Sequence, residues 1–570
     1  MQYDRKDSIV ATPSDGSIFR RRSLFKAAGL GIAGAAGLPV IAACSDIETG
    51  SGSSQETSGF DFLPEYKEWP LPVEPDLIGE PPNHPSGFTT YPEPVPAIEN
   101  VPSNSGTFEI TVPMWGEAPS PSEPYFAAIT EACGGTQVNL RQADGMTYAE
   151  TSVQWLNANE FGDGIMFFSW MTGSNPNFQE TVVNTFYDLT DIVKGDISER
   201  WPLLAGLPTA SWGQSVWSTD PKDPDSARVF GIPGSFSGGP GNAVFARTDL
   251  LEADGLAMPT TVEELLEVAR AWSDDAGGRW AFGGLDYLTP SWFGLASADG
   301  WAYIDGKLVH NCERPEYTEW LEFRRTVWDE KLVHPDIPSG TLDGQALHKA
   351  GTILFQLDGI SWWQGFVDQA AAEGLTGSIA PLGALSAKGR EPLVYVNQSV
   401  DSWTFLRKDL SKEQVEEFLD FCNFASAPFG TTEYELLNYG VEGTDFNYGP
   451  DGVPVYTASG AKVVQAPVNH KTISGHVQQF ITGTPDMVQA RFEYNAALKD
   501  FAEVNIFEGM RVEGPADFKS AAQVLNDQQN DIAYGRAELS TIPDMVQTFL
   551  DNGGEAAREH YTAAYDKLHG

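Results

Sequence analysis

Two stretches decide the fold: Thr107-Phe-Glu-Ile-Thr-Val-Pro-Met-Trp115 and Asp163-Gly-Ile-Met-Phe-Phe168. In the first, Phe108, Ile110, Val112 and Met114 alternate with period two, which predicts a strand. A helix follows from about Glu123 and stops at Gly134-Gly135, where glycine breaks it. Thr136 to Arg141 predicts a second strand and Ala149 to Asn157 a second helix. Asp163–Phe168 is a continuous apolar run, as expected of a parallel strand covered on both faces. Strand and helix alternating at this spacing predict an α/β domain with a mostly parallel sheet. In such sheets ligands gather outside the carboxyl ends of the strands. Trp115 and Trp170 fall at two of those ends.

Working outward, the same pattern continues to the C-terminus. Thr261-x-x-Glu264 and Ser411-x-x-Gln414 are capping boxes that open helices. Leu393–Val396 and Trp403–Leu406 read as strands, and two helices flank Asn552-Gly553-Gly554 near the end. No internal repeat is visible. At 570 residues the chain exceeds what one hydrophobic core usually serves, so two lobes are expected.

Thirty-five basic residues against 79 acidic ones give a formal net charge of −44. A surface of that sign repels phosphate backbones and excludes a nucleic-acid partner. It suits solubility outside the cell and salt adaptation equally well. Of four cysteines, Cys133 and Cys422 fall at helical spacing with apolar neighbours and are expected in the core. Cys312 is left open, and no disulfide framework is indicated.

The first hundred residues read as an address and a tether. Arg20-Arg21-Arg22-Ser-Leu-Phe-Lys26 precedes an apolar, Gly/Ala-rich run from Ala27 to Ala43, the layout of a twin-arginine signal peptide. The run is interrupted by Pro39 and is too short for a comfortable membrane span. It ends in Ile41-Ala-Ala-Cys44, which resembles a lipoprotein lipobox and implies cleavage before Cys44 and lipidation of its thiol. Between Ser45 and Gly106 stand eleven acidic residues and no Lys or Arg besides Lys67, among many Pro, Ser and Gly. That composition predicts a solvated tether over 44–106. Phe60, Phe62, Tyr66 and Trp69 are the residues by which part of it could pack on the body instead.

No motif for chemistry is present: no HExxH, no GxSxG and no Cys/His pairing with a recognisable signature. Asp274-Asp-Ala-Gly-Gly278 lacks the alternating acids of a calcium loop, so no such metal site is expected, and no cofactor is expected either. Ser235–Asn242 is a Gly-rich loop without the ending of a phosphate loop.

Several segments, in order along the chain, resemble the extracellular solute-binding proteins of carbohydrate ABC importers, in their large lipoprotein branch. They are Phe186–Thr190, Val229–Pro233, Val244–Leu250 with Pro259–Glu264, Phe355–Trp363, Leu437–Gly443 and Phe549–Gly554. The resemblance implies a periplasmic-binding-protein-like (type II) fold whose two α/β lobes close on a ligand like a hinged clamp. Lobe 1 would comprise 107–243 with about 391–460, and lobe 2 would comprise 244–390 with about 461–570. It further implies a non-enzymatic, lipid-anchored monomer on the extracytoplasmic face of the membrane, passing an oligosaccharide to ABC permease subunits. Trp115, Trp170, Trp362 and Trp363 are candidates to stack on sugar, with Asn397, Gln398 and Glu442 as hydroxyl partners. Each of these indoles could equally be core packing, and Trp292 and Trp301 are weaker candidates. A secreted carbohydrate-active enzyme and a surface adhesin are the alternative readings.

Overall fold

The computed structural model describes residues 60–569 except 81–83, 116, 176, 219–225, 236–238, 285–288, 297–299, 341, 374–376, 397–399, 465–467, 469–471, 474–484, 504 and 508–509. The segment expected to be a signal peptide, Cys44, Asn397, Gln398 and the middle of the 235–242 loop therefore lie outside the described residues. Nine strands build the two principal sheets: β1 (Thr107–Met114), β2 (Gln137–Asp144), β3 (Gly164–Phe168), β4 (Gly231–Ser235), β5 (Asn242–Arg247), β6 (Trp280–Phe282), β7 (Ile353–Gly359), β8 (Ile379–Pro381) and β9 (Val400–Leu406). The first sheet runs β2-β1-β3-β9-β4, with β1 parallel to β2 and β3 and with β9 antiparallel to its neighbours. The second runs β8-β5-β7-β6, with β5 antiparallel to β7 and β8.

The chain leaves the first sheet after β4, builds the second, and returns as β9 between β3 and β4. That return creates two α/β lobes, each around its own core. In lobe 1, Phe108, Ile110 and Val112 of β1 are buried under helices Pro124–Ala132 and Lys412–Ala425, while Phe167 and Phe405 pack on the opposite face. In lobe 2, Val244, Phe282 and Phe355 meet helices Val262–Trp272 and Pro315–Asp329. Helix Lys412–Ala425 has both bonds of its capping box, Ser411 with Gln414. At Thr261 the side chain caps Glu264 N, but Glu264 reaches back to Thr260 rather than Thr261. Cys312, left open by the sequence, is a buried thiol with Sγ 3.0 Å from His310 Nδ1.

Residues 60–106 correct the expectation of a solvated tether. Leu63 joins the lobe 1 core, Glu65 N donates to Gly195 O at 2.9 Å, and Gly106 N donates to Glu417 Oε1 at 2.5 Å. The acidic segment predicted as a free tether over 44–106 is thus docked on the body at these points. Its irregular backbone finds hydrogen-bond partners in distant elements, which satisfies it without helix or strand.

Candidate functional site

Strand register places the carboxyl ends of β3 and β7 next to the lobe crossings. In lobe 1, Ser402 near the start of β9 pairs with Phe168 at the end of β3. In lobe 2, Asn242 at the start of β5 pairs with Gly359 at the end of β7. The residues following β1 and β3, and those ending β7, therefore flank the place where the chain passes between lobes.

On the lobe 1 side stand three aromatics. Trp115 is 42% exposed and Trp170 62%, with ring centroids 6.4 Å apart. Phe168 lies 5.8 Å from Trp115 and stacks on Trp170 at 6.2 Å with an interplanar angle of 15°. Trp170 sits on a 3-10 turn, Ser169–Ser174, whose next residue, Met171, is buried and anchors it. Trp115 lies against Gly145, where a Cβ would come within 2.3 Å of the indole, so glycine is required for this approach. Two large indoles left in water are unusual for a packed fold and read as a binding surface.

On the lobe 2 side the edge is polar. Asp358 accepts from Gln345 Nε2 and from Gly359 N, each at 2.8 Å. Burial pushes its carboxyl above the usual carboxylate range, and these two hydrogen bonds only partly offset it. Gln356, two residues earlier on the same face, donates Nε2 to Leu357 O at 2.7 Å. Its Oε1 is buried without a partner among the described residues. The sequence reading missed Phe168, Gln345 and Asp358. Asp358 lies within the Phe355–Trp363 segment and Phe168 ends the apolar run of β3, but neither carries a local pattern that separates it from ordinary strand residues.

Trp362 and Trp363 are not on this surface. They are 6% and 9% exposed and pack with Phe245, Phe366 and Ile379 in a lobe 2 cluster. Lys349 Nζ lies 5.7 Å over the Trp362 ring, and Trp363 meets Tyr494 edge-on at 6.2 Å. Placing either indole opposite Trp115 and Trp170 is therefore corrected: helix Trp362–Glu373 turns them onto β5, where covering the sheet outweighs exposure. Trp292 and Trp301 are buried as well. Glu442 is exposed, in the turn between helix Thr432–Tyr439 and a hairpin whose Tyr448 hydroxyl donates to Glu435 Oε2 at 2.5 Å.

The arrangement offers a flat apolar face on one lobe and carboxyl and amide groups on the other. Among the described residues no group of three or more His, Cys, Asp or Glu could hold a metal ion. No described helix is long and apolar enough to cross a membrane.

No protein-family model matches the chain. In sequence it is 29% identical over 104 residues to lipoprotein LipO of Bacillus subtilis, a match covering 16% of this chain and 21% of that one. The aligned part is thus about a fifth of that relative's length. Solved structures match far more widely. The alginate-binding protein AlgQ2 without calcium ion has a TM-score of 0.60 at 15% identity, over 82% of this chain and 99% of that one. An HMO-binding solute-binding protein from Bifidobacterium longum infantis has 0.59 at 13%, over 82% and 99%. The N-glycan transport solute-binding protein NgtS from Streptococcus pneumoniae has 0.56 at 14%, over 81% and 99%. What the chain shares with them is the fold, that of ABC-transporter solute-binding proteins.

Proposed function

We propose that this chain is a lipid-anchored receptor on the extracytoplasmic face of a bacterial membrane, which captures an oligosaccharide between its lobes and hands it unchanged to an ABC-type permease. The observation that carries the reading is the open Trp115–Trp170 pair backed by Phe168 at the strand ends beside the crossings. A sugar ring has an apolar C–H face that an indole covers and a rim of hydroxyls that carboxyl and amide groups bind. Asp358 and Gln345 supply such groups from lobe 2, and Glu442, Asn397 and Gln398 keep the hydroxyl-binding role read from the sequence. Trp362 and Trp363 act as core and not as ligand surface. The fold-mates named above are described as binding alginate or HMO, or as transporting N-glycan, which supports the same ligand class here.

A hydrolase is the second reading, and Asp358 is what favours it, because a half-buried carboxyl with a raised pKa is how a general acid is made. Hydrolysis also needs a second carboxylate across the scissile bond. Titration calorimetry against a panel of oligosaccharides, with the recovered ligand analysed afterwards, separates the two. The expected result is one-to-one binding of at least one oligosaccharide, returned intact. Turnover abolished by Asp358→Asn would establish the hydrolase, and failure of every glycan to bind would remove the receptor reading.

A further inference from the structure

Residues 76–80 and 84–90, which the sequence assigns to the tether, touch both lobes. We propose that they form a clasp that ties lobe 2 to lobe 1 beside the crossings and limits how far the lobes open. The loop is closed at its base: the Asp76 carboxylate accepts from Thr89 N at 2.7 Å and from Thr90 N at 3.1 Å. Leu77 and Gly87 exchange backbone hydrogen bonds of 3.0 and 2.9 Å.

Glu80 and the segment from His84 to Gly87 grip helix Pro485–Leu498 and the residue that follows it. Glu80 pairs with Lys499, His84 Nε2 lies 3.2 Å from Phe492 O with the two rings 4.2 Å apart, and Gly87 faces Val488. That helix belongs to lobe 2, because Met487, Ala490 and Tyr494 pack on the cluster of Phe245, Trp362 and Trp363. It also lines a cavity with Pro240, Leu382 and Tyr395 at the crossings. Immediately afterwards the chain docks on lobe 1. Phe88 packs on Phe429 at 4.6 Å, Val95 N donates to Gly430 O at 3.1 Å, and Ala97 N and Ile98 N donate to the Glu433 carboxylate at 2.8 and 3.1 Å. Phe429 and Glu433 follow helix Lys412–Ala425, which is part of the lobe 1 core.

The contacts at the two ends are joined by only a few residues around Phe88, too short a stretch to absorb a large separation of the lobes. Because the clasp sits beside the hinge, a small restraint there becomes a larger one at the cleft mouth. The restraint acts whatever the cleft binds.

It is tested without ligand, by spin-label distance measurement on full-length protein carrying Cys44→Ser, Met146→Cys and Ser361→Cys. The three described native thiols are buried, whereas Met146 of lobe 1 and Ser361 of lobe 2 are exposed. Releasing the lobe 2 end with His84→Ala and Lys499→Met should shift the interlobe distances longer by several ångströms. Releasing the lobe 1 end with Phe88→Ala and Glu433→Ala should do the same, and combining all four substitutions should add nothing, since one clasp can be opened only once. Inserting ten Gly/Ser residues between Gly87 and Phe88 lengthens the link between the two docked ends and should reproduce the shift in a variant that folds. Unchanged distances in the insertion variant, or additive shifts from the two ends, overturn the clasp.

Discussion

At the scale of the residue, Trp115 and Trp362 are the same side chain used in opposite ways. Trp115 and Trp170 keep their indoles in water, so removing either should leave the melting temperature nearly unchanged. Each loss should instead weaken oligosaccharide binding about tenfold per 1.4 kcal/mol. Trp362→Ala empties a packed cluster and should destabilise the fold by about 3–5 kcal/mol while a folded fraction binds normally. Measuring affinity and thermal midpoint on all three variants checks both halves, and a Trp115→Ala protein with full affinity would move the site elsewhere. His348 makes a second prediction. Its ring is fully buried, and burial together with the nearby Arg247 charge lowers its pKa from 6.5 to about 4. As pH falls the unfolded chain therefore takes up this proton before the folded one. Stability from this group is complete above about pH 6.5 and is lost progressively down to about pH 4, by about 3 kcal/mol at most. Urea midpoints at pH 7 and 4.5 should draw closer together in His348→Leu than in the unsubstituted protein.

Among the elements, local sequence rules carried furthest where the energy is local. The Ser411–Gln414 box closes its backbone bonds within four residues, and the period-two run of β1 forms the strand it predicts, paired with β2 and β3. The C-terminal pair of helices shows the limit. The break at Asn552-Gly553-Gly554 was legible, but the structure compresses it into a kink, with Gly553 at φ 147°. A Cβ there would meet the Asp517 backbone at 2.8 Å, so helix Ala516–Ala533 and the kink are fitted to each other. Gly553→Ala combines a forbidden backbone conformation with a backbone clash and should destabilise by about 1–3 kcal/mol or more. Thermal denaturation reads this directly, and a variant as stable as the parent would mean the kink relaxes freely.

At the scale of the whole molecule, the lobes are joined by more than their crossings. Besides residues 76–80 and 84–90, the C-terminal segment reaches lobe 1 through Gln214 Nε2 donating to Phe507 O at 3.3 Å. Arg511, ion-paired with Glu513, lies about 5 Å over both Trp217 and Trp403. A cation on two buried indoles is directional, so it adds to the preference for one interlobe angle. The remaining prediction concerns the membrane. If Ile41-Ala-Ala-Cys44 is a lipobox, the mature protein from a bacterial host begins at a diacylated Cys44, and Cys44→Ala releases it or stalls its processing. Replacing Arg21 and Arg22 with Lys should block export by the twin-arginine route. Mass spectrometry finding an unmodified N-terminus elsewhere would rule the anchor out.

The sequence by itself determined the α/β alternation and the two strand ends that carry Trp115 and Trp170. Those signals are hydrophobic periods and caps, whose energies depend on residues a few positions apart. Tertiary structure alone decided which indoles stay in water. An indole is apolar enough to be buried and flat enough to bind sugar, and only the packing of helix Trp362–Glu373 on β5 separates Trp362 from Trp115. It also decided the fate of the acidic Pro-rich stretch, which has no period of its own. Its backbone is satisfied by Glu417 and Glu433, more than three hundred residues away, and bonds across such a distance leave no local pattern to read.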